Sequence, residues 1–293
     1  MKRQPISTMA GGPPGPLPRR TGSLTARLKF LADLDGPLAY VPSKGGGDST
    51  EHLGNFTTRE VAVHDARSHL RDTRLDAEGF LLVTQPTAVT DFHHDAQIEA
   101  VHHEEVRALL TRLTGARRVE IFDDTRRASS RDRQRERKTR DPAAIVHNDY
   151  TARSGVKRLR DHFADASDAS EEAERLLDRR FAIINVWRST AGPVLNHPLV
   201  MADATTVREE DLVAVERRGE DRIGELQVAL HHPEQRWYYY PRMQPDEVLV
   251  FKTFDSATDG RTRFTLHSSF DDPTAPAGAP PRESIETRCL VFF

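Results

Sequence analysis

The second half of the chain, from Phe181 onward, is a succession of short apolar segments of strand length, separated by turn residues. Strands of this kind must pair with one another, and a long series of them forms a sandwich, a barrel or a double-sheet jelly roll. The predicted strands are 181–187, 225–230, 237–240, 247–252, 263–267 and 283–293. The pattern therefore predicts a mainly β fold with flanking helices, built on a double-stranded β-helix, the cupin-like jelly roll.

The first half of the chain adds further elements to that core. Strands are predicted at 60–65, 79–84 and 119–122, and helices at 24–34 and 91–114. The segment Met1 to Ser23 is rich in Pro, Gly and Arg, and it lacks the apolar stretch of a secretory signal. We therefore expect a disordered tail over residues 1–23 and a single domain over residues 24–293.

Composition excludes several classes of protein. The 293 residues include 42 Lys and Arg against 45 Asp and Glu, a net charge of −3, so the chain lacks the basic excess of a nucleic-acid binder. A single cysteine, Cys289, permits no internal disulfide and indicates a reducing compartment. No apolar run has the length of a membrane span. We expect a cytoplasmic protein with a small-molecule ligand and neither nucleic acid nor membrane as a partner; the sequence leaves its oligomeric state open.

The tripeptide His147-Asn148-Asp149 follows the apolar run Ala143 to Val146. On a strand, residues two apart point to the same side, so His147 and Asp149 can reach one ion while Asn148 points away. A His-x-Asp pair with a distant second histidine is the 2-His-1-carboxylate triad of non-haem Fe(II) oxygenases. The candidate second histidine is His267, at the end of the segment 263–267. Spacing alone leaves open that His267 is a structural, hydrogen-bonded residue.

A second tripeptide, His93-His94-Asp95, has the same spacing but stands at the start of the helical pattern 91–114. Residues two apart on a helix diverge by roughly 200°, so this pair cannot chelate one ion. We interpret it as a helix start with Asp91 or Asp95 near the cap.

The segment Arg126–Arg140 carries eight basic and two acidic residues. It could be a mobile, solvated loop, a nucleic-acid contact, or a lid that draws an anionic substrate or cosubstrate to the site. It contains no aromatic residue on which bases could stack. The sequence leaves these alternatives open.

Two arginines near the carboxyl terminus are candidates for binding a carboxylate cosubstrate. Arg282 and Arg288 are six residues apart and face the same side of the last predicted strand. An Fe(II) enzyme that uses 2-oxoglutarate needs a cation for the distal carboxylate, and arginine binds it through a bidentate fork. We favour Arg282, which follows His267 by one loop, and keep Arg288 as the reserve.

An ordered series of motifs covers the chain from about residue 60 to residue 293. The motifs are 124–127 (DTRR), 147–150 (HNDY), 185–188 (NVWR), 192–194 (GPV), 198–199 with Asp203, 240–248 (YPRMQPDEV), 252–256 (KTFDS), 267–270 (HSSF) and 280–288 (PPRESIETR). This series resembles the family that includes the gibberellin GA4 desaturase, the AsaB-type fungal hydroxylase/desaturases and the CmcJ-type cephamycin methoxylation component.

The resemblance implies an Fe(II)- and 2-oxoglutarate-dependent oxygenase that uses O2 to hydroxylate, desaturate or oxidatively cyclise a small metabolite of natural product biosynthesis. It implies that His147, Asp149 and His267 are the metal ligands. Candidate substrate contacts are Asn148, Tyr150, Asn185, Arg188 and Lys252. The alternative is a non-catalytic jelly roll that binds a ligand or supports another enzyme, as a methoxylation component would.

Overall fold

The computed structural model of the chain describes residues 22–164, 169–219 and 223–293. In these ranges the strands are β1 (Ser23–Leu31), β2 (Ala39–Val41), β3 (Glu51–Leu53), β4 (Phe56–Asp65), β5 (Phe80–Thr84), β6 (Arg118–Ala128), β7 (His147–Asn148), β8 (Phe181–Ser189), β9 (Leu199–Ala202), β10 (Leu212–Arg218), β11 (Ile223–Ala229), β12 (Trp237–Tyr239), β13 (Glu247–Asp255), β14 (His267–Ser269) and β15 (Glu283–Phe292). The helices are α1 (Ala66–His69), α2 (Asp95–Gln97), α3 (His103–Thr114), α4 (Arg131–Arg137), α5 (Ala152–Phe163) and α6 (Ala169–Leu177).

The strands form two sheets that pack on one another, as the predicted jelly roll requires. The larger sheet has the order β1-β4-β12-β9-β14-β7-β11-β10-β2-β3, and the smaller has the order β5-β13-β8-β15-β6. Apolar side chains from both sheets meet in a shared core, with Met201 and Tyr238 from the larger sheet against Trp187 and Phe251 from the smaller. The fold class predicted from the sequence is confirmed. No helix in the described ranges has the length and apolar character needed to cross a membrane.

The central strand of the smaller sheet, β8, is buried along its whole length because both of its faces are covered. Ile184 and Val186 point outward and pack with Leu109 and Leu110 of α3. Asn185 and Trp187, on the opposite face, point toward the larger sheet. This alternation decides which side chains of β8 can reach a site between the sheets.

Several element boundaries differ from the prediction. The helix predicted at 24–34 is wrong: β1 pairs with β4 along its full length, and Ala26, Leu28 and Phe30 alternate into the core with period two. The strand predicted at 263–267 is also wrong, since β14 begins only at His267. The helix predicted at 91–114 is interrupted by a π-helical turn over Ile98–His102. The tail predicted at 1–23 lies outside the described residues except for Gly22 and Ser23, and Ser23 begins β1.

A buried ion pair ties β13 to the loops beside it. The Lys252 ammonium donates to Asp255 at 2.8 Å and to Asp76 at 2.5 Å, and Arg180 also donates to Asp255 at 2.7 Å. Lys252 and Asp255 are almost completely shielded from solvent. Each charge is tolerated in the interior because the other balances it.

We expect Asp255→Ala to lower the free energy of unfolding by about 3 kcal/mol, because the buried Lys252 ammonium then keeps only the half-exposed Asp76. Urea denaturation of the purified protein measures the change. The control is Asp259→Ala, which removes an exposed carboxylate that pairs with Arg261 and should leave the midpoint unchanged. Equal stability of the Asp255→Ala protein and the parent would contradict this account.

Candidate metal centre

His147 and His267 are brought together by strand pairing in the larger sheet. The strands β7 and β14 are antiparallel neighbours, and His147 lies directly opposite His267 in their register. The centroids of the two imidazole rings are 4.4 Å apart, and both side chains are buried. A sequence separation of 120 residues is therefore reduced to a direct cross-strand contact.

The hydrogen bonds of both imidazoles leave the same ring nitrogen available. His147 Nδ1 donates to the carbonyl oxygen of Ile145 at 2.9 Å, and His267 Nδ1 donates to that of Thr265 at 3.0 Å. With the proton on Nδ1, each Nε2 carries a lone pair directed at the space between the rings. This tautomer and orientation are those of histidines that bind a metal.

Asp149 completes the donor set from the end of β7. Its Oδ1 lies 3.6 Å from His147 Nε2. Its Oδ2 accepts hydrogen bonds from Asn185 Nδ2 at 2.8 Å and from Arg288 Nε at 3.0 Å. The smaller sheet thus holds one carboxylate oxygen, while the other faces the histidines. In the described part of the chain, His147, Asp149 and His267 are the group whose ligand atoms all lie within 4.8 Å of one another.

The electrostatics of the three residues favour their metal-binding protonation states. Burial, together with the neighbouring His267, lowers the pKa of His147 to about 4. Burial also lowers the pKa of His267. Burial alone would raise the pKa of Asp149, but Arg288 and the two histidines hold it well below its usual range. At neutral pH the site therefore presents two neutral imidazoles and one carboxylate.

The second His-x-Asp tripeptide does not join this group. His93 Nε2 lies 3.3 Å from a carboxylate oxygen of Glu283, and Asp95 pairs with Arg126 at 2.7 Å. Asp95 begins α2, as the interpretation of a helix start required.

A cavity of about 160 Å³ opens onto His147 and Asp149. Its apolar wall contains Tyr40, Phe122 and Tyr150, and its polar wall is rich in arginine and lysine. Tyr150, one of the predicted substrate contacts, is buried, and burial raises its pKa, so its phenol stays protonated. The cavity joins the potential metal site to the protein surface and is large enough for a small organic molecule.

Arg282 is buried next to Arg127 of the cavity wall, with most of its guanidinium unpaired. Its Nη1 donates to the carbonyl oxygen of His197 at 2.8 Å, and the guanidinium lies 5.6 Å from the ring centroid of Trp187. Its Nε and Nη2 are buried without a hydrogen-bond partner among the described residues. Burial and the charge of Arg127 lower the pKa of Arg282 to about 9. Buried donors are almost always paired, so two unpartnered donor nitrogens on one guanidinium indicate a place for an anion.

Ser284 extends this feature and was missed by the sequence analysis. It lies on β15, two residues after Arg282, which immediately precedes that strand. Its Oγ is buried and has no partner among the described residues. The signal that could have found it is the spacing of a hydroxyl two residues after the arginine.

Arg127 and Glu286 were also missed as site residues. Arg127 lies in the cavity wall, close enough to His147, His267 and Arg282 for its charge to lower their pKa values. Glu286 accepts a hydrogen bond from Asn185 at 3.3 Å and pairs with Arg288. Their place beside the site follows from strand pairing, which sequence spacing does not display.

Arg288 has a different environment from Arg282. It donates to Asp149, to Asp123 at 2.5 Å and to Thr125 at 2.8 Å, and it pairs with Glu286. All of its donors are directed at acceptors within the protein. This arginine supports the carboxylate ligand and has no free edge for a cosubstrate.

Four of the predicted substrate contacts, Asn148, Asn185, Arg188 and Lys252, do not line the cavity, and these predictions are corrected. Arg188 points to the outer face of β8 and donates to the carbonyl oxygens of Gln85 and Pro245 at 2.8 Å. Lys252 is held by Asp76 and Asp255.

Asn148 is fully buried and links four residues through the hydrogen bonds of its side-chain amide: Tyr150, Gln227, Thr253 and Thr265. Asn185 donates to Asp149 and lies outside the cavity lining.

The basic segment Arg126–Arg140 is not an irregular loop. Its first residues belong to β6, and Arg131–Arg137 form α4. On α4, Arg133 pairs with Glu136 at 2.8 Å and Arg135 pairs with Asp132 at 3.4 Å. Within this segment, Arg127 and Arg140 belong to the cavity wall.

Two imidazoles and one carboxylate on one side of an ion leave the other side open, and this donor set on a jelly roll defines the non-haem Fe(II) oxygenases. Comparison with known proteins agrees. A family model described as an oxidoreductase/YMDC permease-like domain matches residues 28–292. The Fe(II)/2-oxoglutarate-dependent dioxygenase nvfI of Aspergillus novofumigatus is 34% identical over 81% of this chain and 84% of its own length. The chain belongs to this family of Fe(II)/2-oxoglutarate-dependent dioxygenases, and its cofactors are Fe(II), 2-oxoglutarate and O2.

Two further similarities are consistent with that assignment. The hydroxylase/desaturase CTB9 of Cercospora beticola is 35% identical over 96% of this chain and 92% of its own length. The solved structure of the iron and alpha-ketoglutarate-dependent endoperoxidase NvfI superposes with a TM-score of 0.77 at 30% identity, covering 92% of this chain and 98% of that one. The family predicted from the motif series is confirmed, and enzymes rather than non-catalytic partners are what the chain resembles.

Proposed function

We propose that His147 Nε2, His267 Nε2 and Asp149 Oδ1 bind Fe(II), and that the enzyme oxidises a small-molecule metabolite in the adjoining cavity. The observation that carries this proposal is the buried donor set of two histidines and one aspartate, whose ligand atoms all lie within 4.8 Å of one another. When bound, Fe(II) and 2-oxoglutarate supply the oxidising chemistry, in which O2 and 2-oxoglutarate are consumed and the substrate loses hydrogen or gains oxygen.

Arg282 and Ser284 are proposed to bind the distal carboxylate of 2-oxoglutarate. Their Nε, Nη2 and Oγ atoms are buried, unpartnered donors of two residues at the start of β15. A carboxylate would satisfy them with charge-assisted hydrogen bonds, and a guanidinium fork is suited to its two oxygens. Trp187, against which the guanidinium lies, limits the directions in which Arg282 can move.

Asn185, Arg288 and Glu286 are proposed to position Asp149. Asn185 and Arg288 both donate to Oδ2, which keeps that oxygen occupied and directs Oδ1 toward the histidines. Glu286 in turn binds both donors and fixes their orientation. Partners that orient a ligating carboxylate typically change metal affinity or activity by roughly 10- to 100-fold when they are lost.

The products proposed for the reaction are those of hydroxylation, desaturation or oxidative cyclisation, in natural product biosynthesis. Relatives named as hydroxylase/desaturases and as an endoperoxidase support this range of outcomes. We further propose that residues 24–293 act as one catalytic domain, because the site draws on both sheets. A small molecule rather than nucleic acid is the proposed substrate, and the cytoplasm the proposed compartment on account of the unpaired Cys289.

Anaerobic titration tests the proposed function directly. We expect the metal-free protein to bind Fe(II), and the addition of 2-oxoglutarate to produce the weak visible charge-transfer band of the chelate. In air, the loaded protein should convert 2-oxoglutarate to succinate faster when its substrate is present. Succinate itself, added in place of 2-oxoglutarate, is the control and should give no band. Tight Fe(II) binding without any band would instead support a non-catalytic ligand-binding protein.

A further inference from the structure

Two arginines in the cavity wall, Arg140 and Arg217, have no side-chain partner among the described residues. Arg140 follows α4 and is fixed to β6 by backbone hydrogen bonds, its amide nitrogen donating to the carbonyl oxygen of Arg126 at 3.0 Å. Arg217 lies on β10, where it pairs with Gly224 of β11. Both side chains are half-buried and line the cavity that reaches His147 and Asp149. Within the described residues, neither guanidinium makes a hydrogen bond or an ion pair.

The acidic residues of the same cavity are already engaged. Asp149 and Asp123 bind Arg288, Asp161 binds Lys157 at 2.7 Å, and Glu225 binds Arg153 and Thr151. The negative charge of Asp123 raises the pKa of Arg140. The carboxylate of Asp123 is already hydrogen-bonded to Arg288 and Thr125, so it acts on Arg140 through its charge and not through a hydrogen bond.

The cofactors do not supply the missing negative charge. Fe(II), the two carboxylates of 2-oxoglutarate, Asp149 and Arg282 are together neutral. Arg127 and Arg288 together balance Asp123 and Glu286. Arg140 and Arg217 therefore remain as two uncompensated positive charges in a partly desolvated wall. Their mutual repulsion is a cost to the folded protein that a bound anion would remove. Burial, followed by the charges of Arg127 and Arg217, lowers the pKa of Arg140, as this arrangement requires.

We propose that the substrate carries an oxyanion, either a carboxylate or a phosphate ester, and that Arg140 and Arg217 bind it while the body of the molecule extends toward the metal site. This inference rests on the proposed function, because it names the substrate class of the same cavity. Two planar guanidinium forks suit the oxygens of either group. The apolar wall formed by Tyr40, Phe122 and Tyr150 suits an apolar or aromatic body.

Three probes that share one aromatic body test the proposal: benzoate, phenyl phosphate and the neutral benzamide. Each is titrated by calorimetry into the anaerobic protein already saturated with Fe(II) and 2-oxoglutarate, and the visible band is followed in parallel. We expect at least one of the two anions to bind roughly 10- to 100-fold more tightly than benzamide, the effect of a charge-assisted hydrogen bond. Comparison of benzoate with phenyl phosphate distinguishes the two kinds of oxyanion.

The double variant Arg140→Gln/Arg217→Gln should lose the preference for the anion and still form the Fe(II)–2-oxoglutarate band. The matched control is Arg137→Gln/Arg218→Gln, which removes two neighbouring arginines that pair with Glu136 and Glu216 outside the cavity. The control should keep the preference of the parent protein.

The proposal is overturned if benzamide binds as well as the anions, if neither anion binds at millimolar concentration, or if the preference survives in the double variant. Loss of the visible band when an anion is added would show that it displaces 2-oxoglutarate, which also overturns the proposal. Failure of the parent protein to form the band at all is a separate result, and it counts against the proposed function rather than against the anion subsite.

Discussion

Replacing Asp149 by alanine is expected to abolish Fe(II) binding and, with it, turnover of 2-oxoglutarate. The change removes the only charged ligand and leaves two neutral imidazoles. It also leaves Arg288 and Asn185 without the oxygen to which they donate, so a guanidinium points at the place of the ion. We expect activity to fall further than the roughly 10- to 100-fold typical of residues around a metal site. His147→Ala and His267→Ala, which remove one ligand each, should give the same loss.

The fold should survive these changes, which separates a lost ligand from an unfolded protein. In the Asp149→Ala protein, Arg288 keeps Asp123 and Glu286 as partners, so its charge remains balanced. Circular dichroism and thermal unfolding monitor the fold, and anaerobic metal analysis monitors the iron. The matched control is the pair His93→Ala and Asp95→Ala, which has the same tripeptide spacing and should bind iron normally. Full turnover by the Asp149→Ala protein would refute the assignment of the triad.

Much of the fold follows from sequence periodicity, and the errors have a common physical cause. The strands β8, β11, β13 and β15 were predictable because their β-branched and aromatic residues are bounded by turns. The strand β1 was taken for a helix, although Leu24, Ala26, Leu28 and Phe30 recur at every second position. Short amphipathic segments satisfy both periods in part, and the choice between them is made by the partner. Here that partner is β4, and strand pairing is a long-range interaction that local spacing does not report.

The candidate site shows the same division between local and long-range information. The spacing of His147 and Asp149 is local, so the sequence alone was enough to propose that pair. The register that sets His267 opposite His147 depends on β7 and β14 being neighbours, and only the motif series of the family indicated it. Side-chain alternation along β8 places Arg188 on the face opposite Asn185 and Trp187. The same two-residue period that relates His147 to Asp149 therefore indicates that Arg188 lies outside the site. The ion pair of Lys252 could be found only from the structure, because its partner Asp76 is distant in the sequence.

The two candidate arginines, Arg282 and Arg288, show what spacing cannot decide. Arg288 lies on β15, but Arg282 immediately precedes that strand, so their separation of six residues does not fix the directions of their side chains. What distinguishes them is their partners. Arg288 is surrounded by carboxylates from three segments of the chain, whereas Arg282 has two buried donors without an acceptor among the described residues. The unsatisfied donors, rather than the position along the strand, support Arg282 as the anchor for 2-oxoglutarate.

Arg282→Lys is expected to weaken 2-oxoglutarate binding by roughly 30- to 150-fold, which corresponds to the loss of about 2–3 kcal/mol of charge-assisted hydrogen bonding. Lysine keeps the positive charge but loses the planar fork. Its single ammonium nitrogen cannot occupy the positions of both Nε and Nη2. Fe(II) binding should be unchanged, because Arg282 does not contact the triad residues. Ser284→Ala, which removes one neutral donor, should weaken 2-oxoglutarate by a smaller factor, roughly 2- to 10-fold.

The measurement is the concentration of 2-oxoglutarate that gives the half-maximal visible band in anaerobic titrations of each protein with saturating Fe(II). Arg126→Lys is the matched control: it makes the same substitution in an arginine that binds Asp95 and the carbonyl oxygen of Phe92 away from the cavity. Arg288→Lys separates the two roles further, because its donation to Asp149 predicts weaker iron binding rather than weaker 2-oxoglutarate binding. If 2-oxoglutarate affinity falls only in the Arg288→Lys protein, the anchor is misassigned. If it falls in neither, the buried donors of Arg282 and Ser284 serve some other anion, and other residues must hold the cosubstrate.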